Sequence, residues 1–200
     1  MDLRAALSVP TVYRAFVNLI VGDYRYVVTL AGMHPGERVL DLGCGPADLV
    51  EFLPDGVDYT GVDISEEYIA AARQRFGTRA RFIRAALKDV ARDERGSFDL
   101  VLGHGVLHHV DDAEAAAAFA TAAELLKPHG RMFTIDPCFT DEQSRLARWL
   151  VGKDRGQFVR TPAAYQALAR SCFPIVEGEI RHDLLRIPWT HFIMRCRRRQ

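Results

Sequence analysis

The sequence predicts an open α/β fold, a doubly wound sheet with helices on both faces. Three observations carry that expectation. The apolar run Val39, Leu40, Leu42 leads into Gly43-Cys44-Gly45-Pro46-Ala47, and Asp48 then opens a pattern with Leu49, Val50, Phe52 and Leu53 apolar, which reads as strand, tight turn, helix. Four further short strand-like runs follow, at residues 58–62, 81–84, 98–102 and 131–135, with helical patterns between most of them. Two alternating segments, 173–181 and 189–196, close the chain, the second approached through Ile187-Pro188.

A chain of 200 residues with 48% hydrophobic content is long enough for one domain with a sizeable core. Lys+Arg and Asp+Glu number 26 each, so net charge gives no argument for nucleic acid or a membrane surface. The balance is uneven along the chain: from residue 137 onward there are twelve basic and six acidic residues, with Arg195, Arg197, Arg198 and Arg199 in a solvated tail. The four cysteines, Cys44, Cys138, Cys172 and Cys196, show no C-x-x-C and no metal-ligand spacing. They read as reduced thiols of a cytoplasmic protein, with no metal expected. Arg4, Arg14, Asp23 and Arg25 interrupt the N-terminal apolar residues, so neither a signal h-region nor a membrane span is expected.

Taken in order, Ser8 and Pro10 signal a first helix with Val12, Phe16, Leu19 and Ile20 at helical spacing. A second, residues 23–31, carries Tyr24, Tyr26, Val27, Val28 and Leu30 and stops at Gly32 and Pro35. The glycine turn after the first strand lets a ligand approach the main chain closely. A dinucleotide-binding turn wants a third glycine three residues after the second, where a helix N-terminus meets a pyrophosphate. This chain has Asp48 there, which argues against a nicotinamide-dependent oxidoreductase. The second strand ends in Asp63-Ile64-Ser65. Asp63 is placed to accept hydrogen bonds from ribose hydroxyls, and Ser65 caps the helix carrying Tyr68, Ile69, Ala72 and Phe76. After the fourth strand comes Gly103-His104-Gly105-Val106-Leu107-His108-His109-Val110-Asp111-Asp112; Asp111 or Asp112 caps an Ala-rich helix ending at Lys127-Pro128-His129-Gly130. The fifth strand ends in Asp136-Pro137.

Two of these stretches resemble motifs of the class I S-adenosylmethionine-dependent methyltransferases. Asp41, Gly43 and Gly45 match the acidic-x-Gly-x-Gly-x-Gly pattern, with Ala47 in place of the last glycine. The run Phe98-Asp99-Leu100-Val101 with Val106-Leu107-His108-His109-Val110 resembles the motif after strand four, and Leu126-Lys127-Pro128-His129-Gly130 is a further family trait. The resemblance covers residues 36–136. It implies a Rossmann-like seven-stranded sheet with an antiparallel last strand, and S-adenosylmethionine as cofactor, leaving as S-adenosylhomocysteine.

Several site residues follow from the resemblance. Asp41, Gly43, Gly45, Asp63 and Ile64 are expected to bind the cofactor. The N-terminal helices would cover its methionine end, with Tyr13, Arg14, Tyr24 and Tyr26 as candidates. Many members carry an Asp for the adenine amino group where this chain has Ala86, so either backbone near Ala86 and Leu87 or the side chain of Asp89 would serve the base. His104 lies where the family uses a main-chain group against the methionine amine, and its imidazole is available to substrate.

The sulfonium makes its methyl group electrophilic, so the enzyme must align a nucleophile and exclude water. A base is useful for an oxygen or nitrogen acceptor. His104, His108 and Asp136 are the catalytic candidates, with His109, His182 and His191 as further imidazoles near strand ends. The segment 137–172 reads as a substrate lid, with Leu146, Trp149 and Leu150 in an amphipathic stretch and a helix starting near Thr161-Pro162. Within it Arg155, Arg160 and Tyr165, with Arg186 in the last loop, are candidate substrate-binding residues, and Trp149, Phe158, Tyr165 and Trp189 equally suit an apolar pocket.

The expectation is one domain: N-terminal helices 1–35, a cofactor-binding core 36–136, a lid 137–172 and a closing strand pair 173–200. Its activity is methyl transfer to O, N or C of a small-molecule metabolite of the kind made in specialised biosynthesis. Nucleic acid is not expected as a partner, for want of a base-methylating motif or a large basic domain. The chain is expected as a monomer or homodimer. The alternatives are a catalytically silent binding protein on the same fold and, less favoured, the oxidoreductase.

Overall fold

The computed structural model describes residues 23–90 and 94–199. The expected first helix, with Tyr13 and Arg14, lies outside them. The described elements are α1 (Arg25–Ala31), β1 (Arg38–Leu42), β2 (Asp58–Asp63), α2 (Glu66–Phe76), β3 (Arg81–Arg84), β4 (Phe98–His104), α3 (Asp112–Leu125), β5 (Leu126–Pro137), α4 (Arg145–Val151), α5 (Pro162–Arg170), β6 (Ile175–Arg181) and β7 (His191–Arg197). The seven strands form one sheet in the order β3-β2-β1-β4-β5-β7-β6. The first five run parallel; β7 is antiparallel to both β5 and β6. Strand order reverses between β1 and β4, so a crevice opens at their carboxyl ends.

Side chains alternate across this sheet, and each face has its own core. Val39, Leu100, Leu102, Phe133 and Ile193 pack on the side of α1 and α2, against Val27, Ala31, Ile69, Ala72 and Phe76. Leu40, Leu42, Val101 and Met132 pack on the other side, against Ala115, Ala118, Phe119 and Ala122 of α3 and Tyr165 and Ala169 of α5. Every Ala of α3 in that set is fully buried, which lets the helix lie close on the sheet. Each fully buried large side chain contributes about 1.5–3 kcal/mol.

Local chemistry sets the helix starts. Ser65 caps α2, its hydroxyl accepting from Tyr68 N–H, and the Asp111 carboxylate caps α3 by accepting from Glu114 N–H. Ser144 and Thr161 do the same for α4 and α5, with Pro162 preset for the first turn.

The structure departs from the sequence expectation at three places. The helix after the glycine turn is a single 3₁₀ turn, Asp48–Phe52. Ala47 enters it in the left-handed region (φ 59°), and Pro54 holds Leu53 extended (ψ 140°), so the apolar pattern has no room to propagate. Helix α3 stops at Leu125; Leu126 already pairs with Phe98, and the register resumes at Leu100 and Arg131 after a bulge. Helix α5 does not lie over the strand ends. It packs against α3 and β6, as the crossover that carries the chain to the sheet edge.

Candidate functional site

The cavity at the strand ends is built from the turns that leave β1, β2, β3 and β4. Gly43 (φ 72°) and Gly45 (φ 54°) carry the chain out of β1. At Gly43 an added Cβ would lie 2.4 Å from a methyl of Val106, so the turn after β1 and the loop after β4 interlock only because the side chain is missing. Asp63, at the end of β2, ties this turn to its own. One carboxylate oxygen accepts from Gly45 N–H (2.9 Å), the other from Ser65 N–H (2.8 Å). Asp41 is buried and accepts from Tyr59 Oη–H at 2.5 Å; burial pushes its carboxyl up to about 7, against the hydrogen bond and aided by neighbouring Asp63. Asp48 is paired with Arg75 (2.6 Å), which also reaches Glu51.

These residues form one end of a cavity of about 1120 Å³. Asp41, Gly43, Gly45, Asp63, Ile64, Tyr68, Ala86 and Leu87 all line it, as do Tyr24 and Tyr26. Ile64 is 71% exposed there, an apolar side chain with nothing packed over it. Asp89 is exposed in the 3₁₀ turn Leu87–Asp89 and is not among the lining residues, so of the two expectations for the base the structure brings Ala86 and Leu87 to the cavity.

The other end is lined by His104, Val106, His108, His109, Trp149, Leu150, Asp154, Arg155, Leu185, Ile187, Trp189 and His191. His104 Nε2 is 2.9 Å from Tyr26 Oη, with both Tyr24 and Tyr26 edge-on to its ring. Burial, with His108 nearby, lowers its pKa to about 4, so the imidazole stays neutral at physiological pH. His191 is buried, its Nδ1 has no hydrogen-bond partner, and burial lowers its pKa to about 3. His109 is an exposed residue whose ring lies 4.0 Å, centroid to centroid, from that of His108, and desolvation of that ring, with the His108 charge, lowers its pKa to about 4.

His108 behaves differently from its neighbours. Burial opposes its charged form, but Asp136 on Nδ1 (2.8 Å) and Asp154 on Nε2 (3.1 Å) outweigh it and push its pKa up to about 9. Asp136 is buried behind the ring, off the cavity wall, so it acts on the cavity only through His108. Asp154 belongs to the turn after α4, which is docked on the loop carrying His108: Phe158 N–H donates to His108 O (3.0 Å), and Gly156 lies against the imidazole.

Three expected substrate-binding residues sit elsewhere. Tyr165 is 1% exposed in the core and donates its hydroxyl to Pro137 O (3.1 Å). Arg160 is buried and donates to the carbonyls of Leu107, Val110 and Phe158 and to Asp112, bracing the loop from behind. Arg186 is exposed and not among the lining residues; Arg155 is the one of the four on the cavity wall. The cause is the placement of α5 on the sheet face, which carries Tyr165 and the residues before it inward. Sequence reasoning missed Asp154, hidden in a polar turn whose contact with His108 is made only by the fold.

A family model described as a methyltransferase domain matches residues 39–130. The ubiquinone biosynthesis O-methyltransferase of Aromatoleum aromaticum is 35% identical over 102 residues, 49% of this chain and 43% of that protein. That of Vibrio parahaemolyticus is 33% identical over 112 residues, 54% and 47% of the two chains. The chain thus spans about half the length of the curated relatives it matches. Among solved structures, the PH0226 protein of Pyrococcus horikoshii superposes with a TM-score of 0.69 at 20% identity, covering 94% of this chain and 91% of that one. The Haemonchus contortus phosphoethanolamine N-methyltransferase 2, solved with S-adenosylhomocysteine, gives 0.75 at 16% identity, covering 99% and 59%. At such identities the likeness is one of fold.

Proposed function

We infer that this chain, which belongs to the class I S-adenosylmethionine-dependent methyltransferases, methylates an oxygen of a small, largely apolar metabolite held in the far end of the cofactor cavity. One observation carries the reading: a single cavity runs from Gly43, Gly45 and Asp63 to a wall of Trp149, Trp189, Leu185 and Ile187 studded with imidazoles. The names of the curated relatives favour oxygen over nitrogen or carbon.

The near end fits S-adenosylmethionine. Its carboxylates, Asp41 and Asp63, suit ribose hydroxyls and an ammonium group, since each oxygen keeps lone pairs beyond the protein hydrogen bonds. The exposed Ile64 with Ala86, Leu87 and Tyr68 offers apolar faces to adenine. When bound, the cofactor supplies a methyl group already made electrophilic by its sulfonium. What the chain must do is hold an acceptor oxygen in line and keep water away, for which positioning contributes about 7–11 kcal/mol. His104, held by Tyr26 and neutral, accepts a hydrogen bond or a proton from an acceptor hydroxyl.

The test is turnover with S-adenosylmethionine against a panel of phenols, catechols, aliphatic alcohols and amines, read by mass spectrometry and by S-adenosylhomocysteine release. Methylation of hydroxyl-bearing aromatics is the expected result. Methylation of amines alone would overturn the oxygen reading.

A further inference from the structure

We propose that His108, His109 and Asp154 form a divalent-cation site on the wall of the cavity. One nitrogen from each ring and one Asp154 oxygen lie within 4.8 Å of one another. Ligands at about 2.0–2.2 Å from one ion sit roughly 3.4 Å apart across a tetrahedron. His108 Nε2 and Asp154 Oδ1, 3.1 Å apart, lie slightly inside that separation, so a small widening admits the ion. The His109 ring, stacked on that of His108 in an exposed residue, is the ligand that has to close.

The groups behind the cluster are those a metal site requires. His108 Nδ1 faces the Asp136 carboxylate at 2.8 Å, and Asp136 is 1% exposed. The Nε2 proton that faces Asp154 leaves as an ion binds, and the Asp136 carboxylate on Nδ1 then fixes the tautomer whose Nε2 lone pair meets the ion. Asp136 also receives the His108 backbone N–H (3.2 Å), so ring and main chain are held together. On the opposite side Gly156 N–H donates to Asp154 Oδ1 at 2.6 Å and orients that ligand. Position 156 admits no Cβ, which would fall 2.0 Å from the His108 ring. Two ligands are therefore preorganised from two separate segments of the chain, and the third is free to complete the set.

Two imidazoles and one carboxylate select a first-row ion of the zinc type over magnesium or calcium, which prefer all-oxygen shells. Three protein ligands leave a coordination position open, and all three residues line the cavity. An acceptor oxygen is the natural fourth ligand. That last step rests on the oxygen reading given above; the ion site does not.

Untagged full-length protein, stripped with a chelator, is titrated with Co²⁺ as a probe, followed by its visible absorption and by calorimetry. The expected result is one equivalent with the intense band of a four-coordinate site, displaced by Zn²⁺. His109→Ala, a change at an exposed residue, and Asp154→Asn should each weaken Co²⁺ by at least about tenfold, and Asp136→Asn by about 10–100-fold. S-adenosylhomocysteine affinity of the His109→Ala protein, unchanged, shows that it is folded. No saturable Co²⁺ binding, or binding that survives both ligand substitutions, overturns the proposal and leaves an ion-paired histidine only. The readout is binding, so failure of the ion site and failure of the acceptor reading are separate results.

Discussion

Asp63 holds Gly45 in place: a carboxylate oxygen at the end of β2 accepts the Gly45 N–H at 2.9 Å, and so joins the turn after β1 to the turn after β2. The same carboxylate lines the cavity and is the proposed acceptor for a ribose. Asp63→Ala removes both roles. Hydrogen bonds to a charged group are worth about 1.5–3 kcal/mol, so S-adenosylmethionine affinity should fall by roughly 10–100-fold. Asp89→Ala, off the cavity wall, should leave it unchanged. Calorimetry on the two variants decides; full affinity in a folded Asp63→Ala protein would remove Asp63 from the cofactor site.

Asp41 makes stability depend on pH. Its folded-state pKa, near 7, lies above the unfolded value, so the native state holds a proton that the unfolded chain has lost. The stabilisation is complete below the unfolded pKa and is lost as pH rises through 7. Between pH 5 and 7 the wild type should lose at most about 1.4 kcal/mol per unit from this group. Asp41→Asn, which mimics the neutral acid, should lack that loss. Urea denaturation of both proteins at pH 5 and pH 8 checks it, and parallel pH profiles would refute it.

Tyr165 distinguishes a core role from a substrate role. Tyr165→Phe removes one buried hydrogen bond, to Pro137 O, and should cost about 0.5–1.5 kcal/mol of stability. KM for any acceptor should not move. A raised KM at unchanged stability would return Tyr165 to the substrate site.

Gly156→Ala forces a methyl into the His108 ring and carbonyl, where its Cβ would lie 2.0 Å and 2.6 Å from the nearest atoms. Overpacking of this kind costs about 1–3 kcal/mol, and the turn can relieve it only by moving off the loop after β4. Acceptor KM should rise while S-adenosylhomocysteine affinity holds, because the cofactor end is untouched. Equal effects on both ligands would show that the two ends of the cavity are not separable.

The succession of strands and the residues that line the near end of the cavity were legible because their signals are local. A glycine pair after an apolar run, an acid at the end of the next strand and a Ser or Asp before a helical pattern each act within a few residues. Arg160 was not legible. An Arg beside a polar turn reads as solvated or as a ligand clamp, and only the fold supplies the carbonyls of Leu107 and Val110 that bury it. Asp154 was missed for the same reason, since its partner His108 is distant in sequence. The short turn at Asp48–Phe52 was misread as a helix because apolar spacing outweighed Pro54, whose effect on the residue before it is decisive.

The far end of the cavity draws on two stretches of polypeptide: His104, Val106, His108 and His109 from the loop after β4, and an apolar wall from much later in the chain. The wall nearest Asp63 is made by residues 41–87, inside the span shared with the family, whereas Trp149, Asp154, Leu185, Ile187 and Trp189 lie wholly beyond residue 130. On the proposed reading, the apolar part of the acceptor wall is thus carried by a later passage of the chain than the near end, and the two meet where the turn after α4 rests on His108. A graft of residues 145–191 from a cousin with a different acceptor would be expected to exchange one substrate for another while the near end went on recognising the same nucleoside.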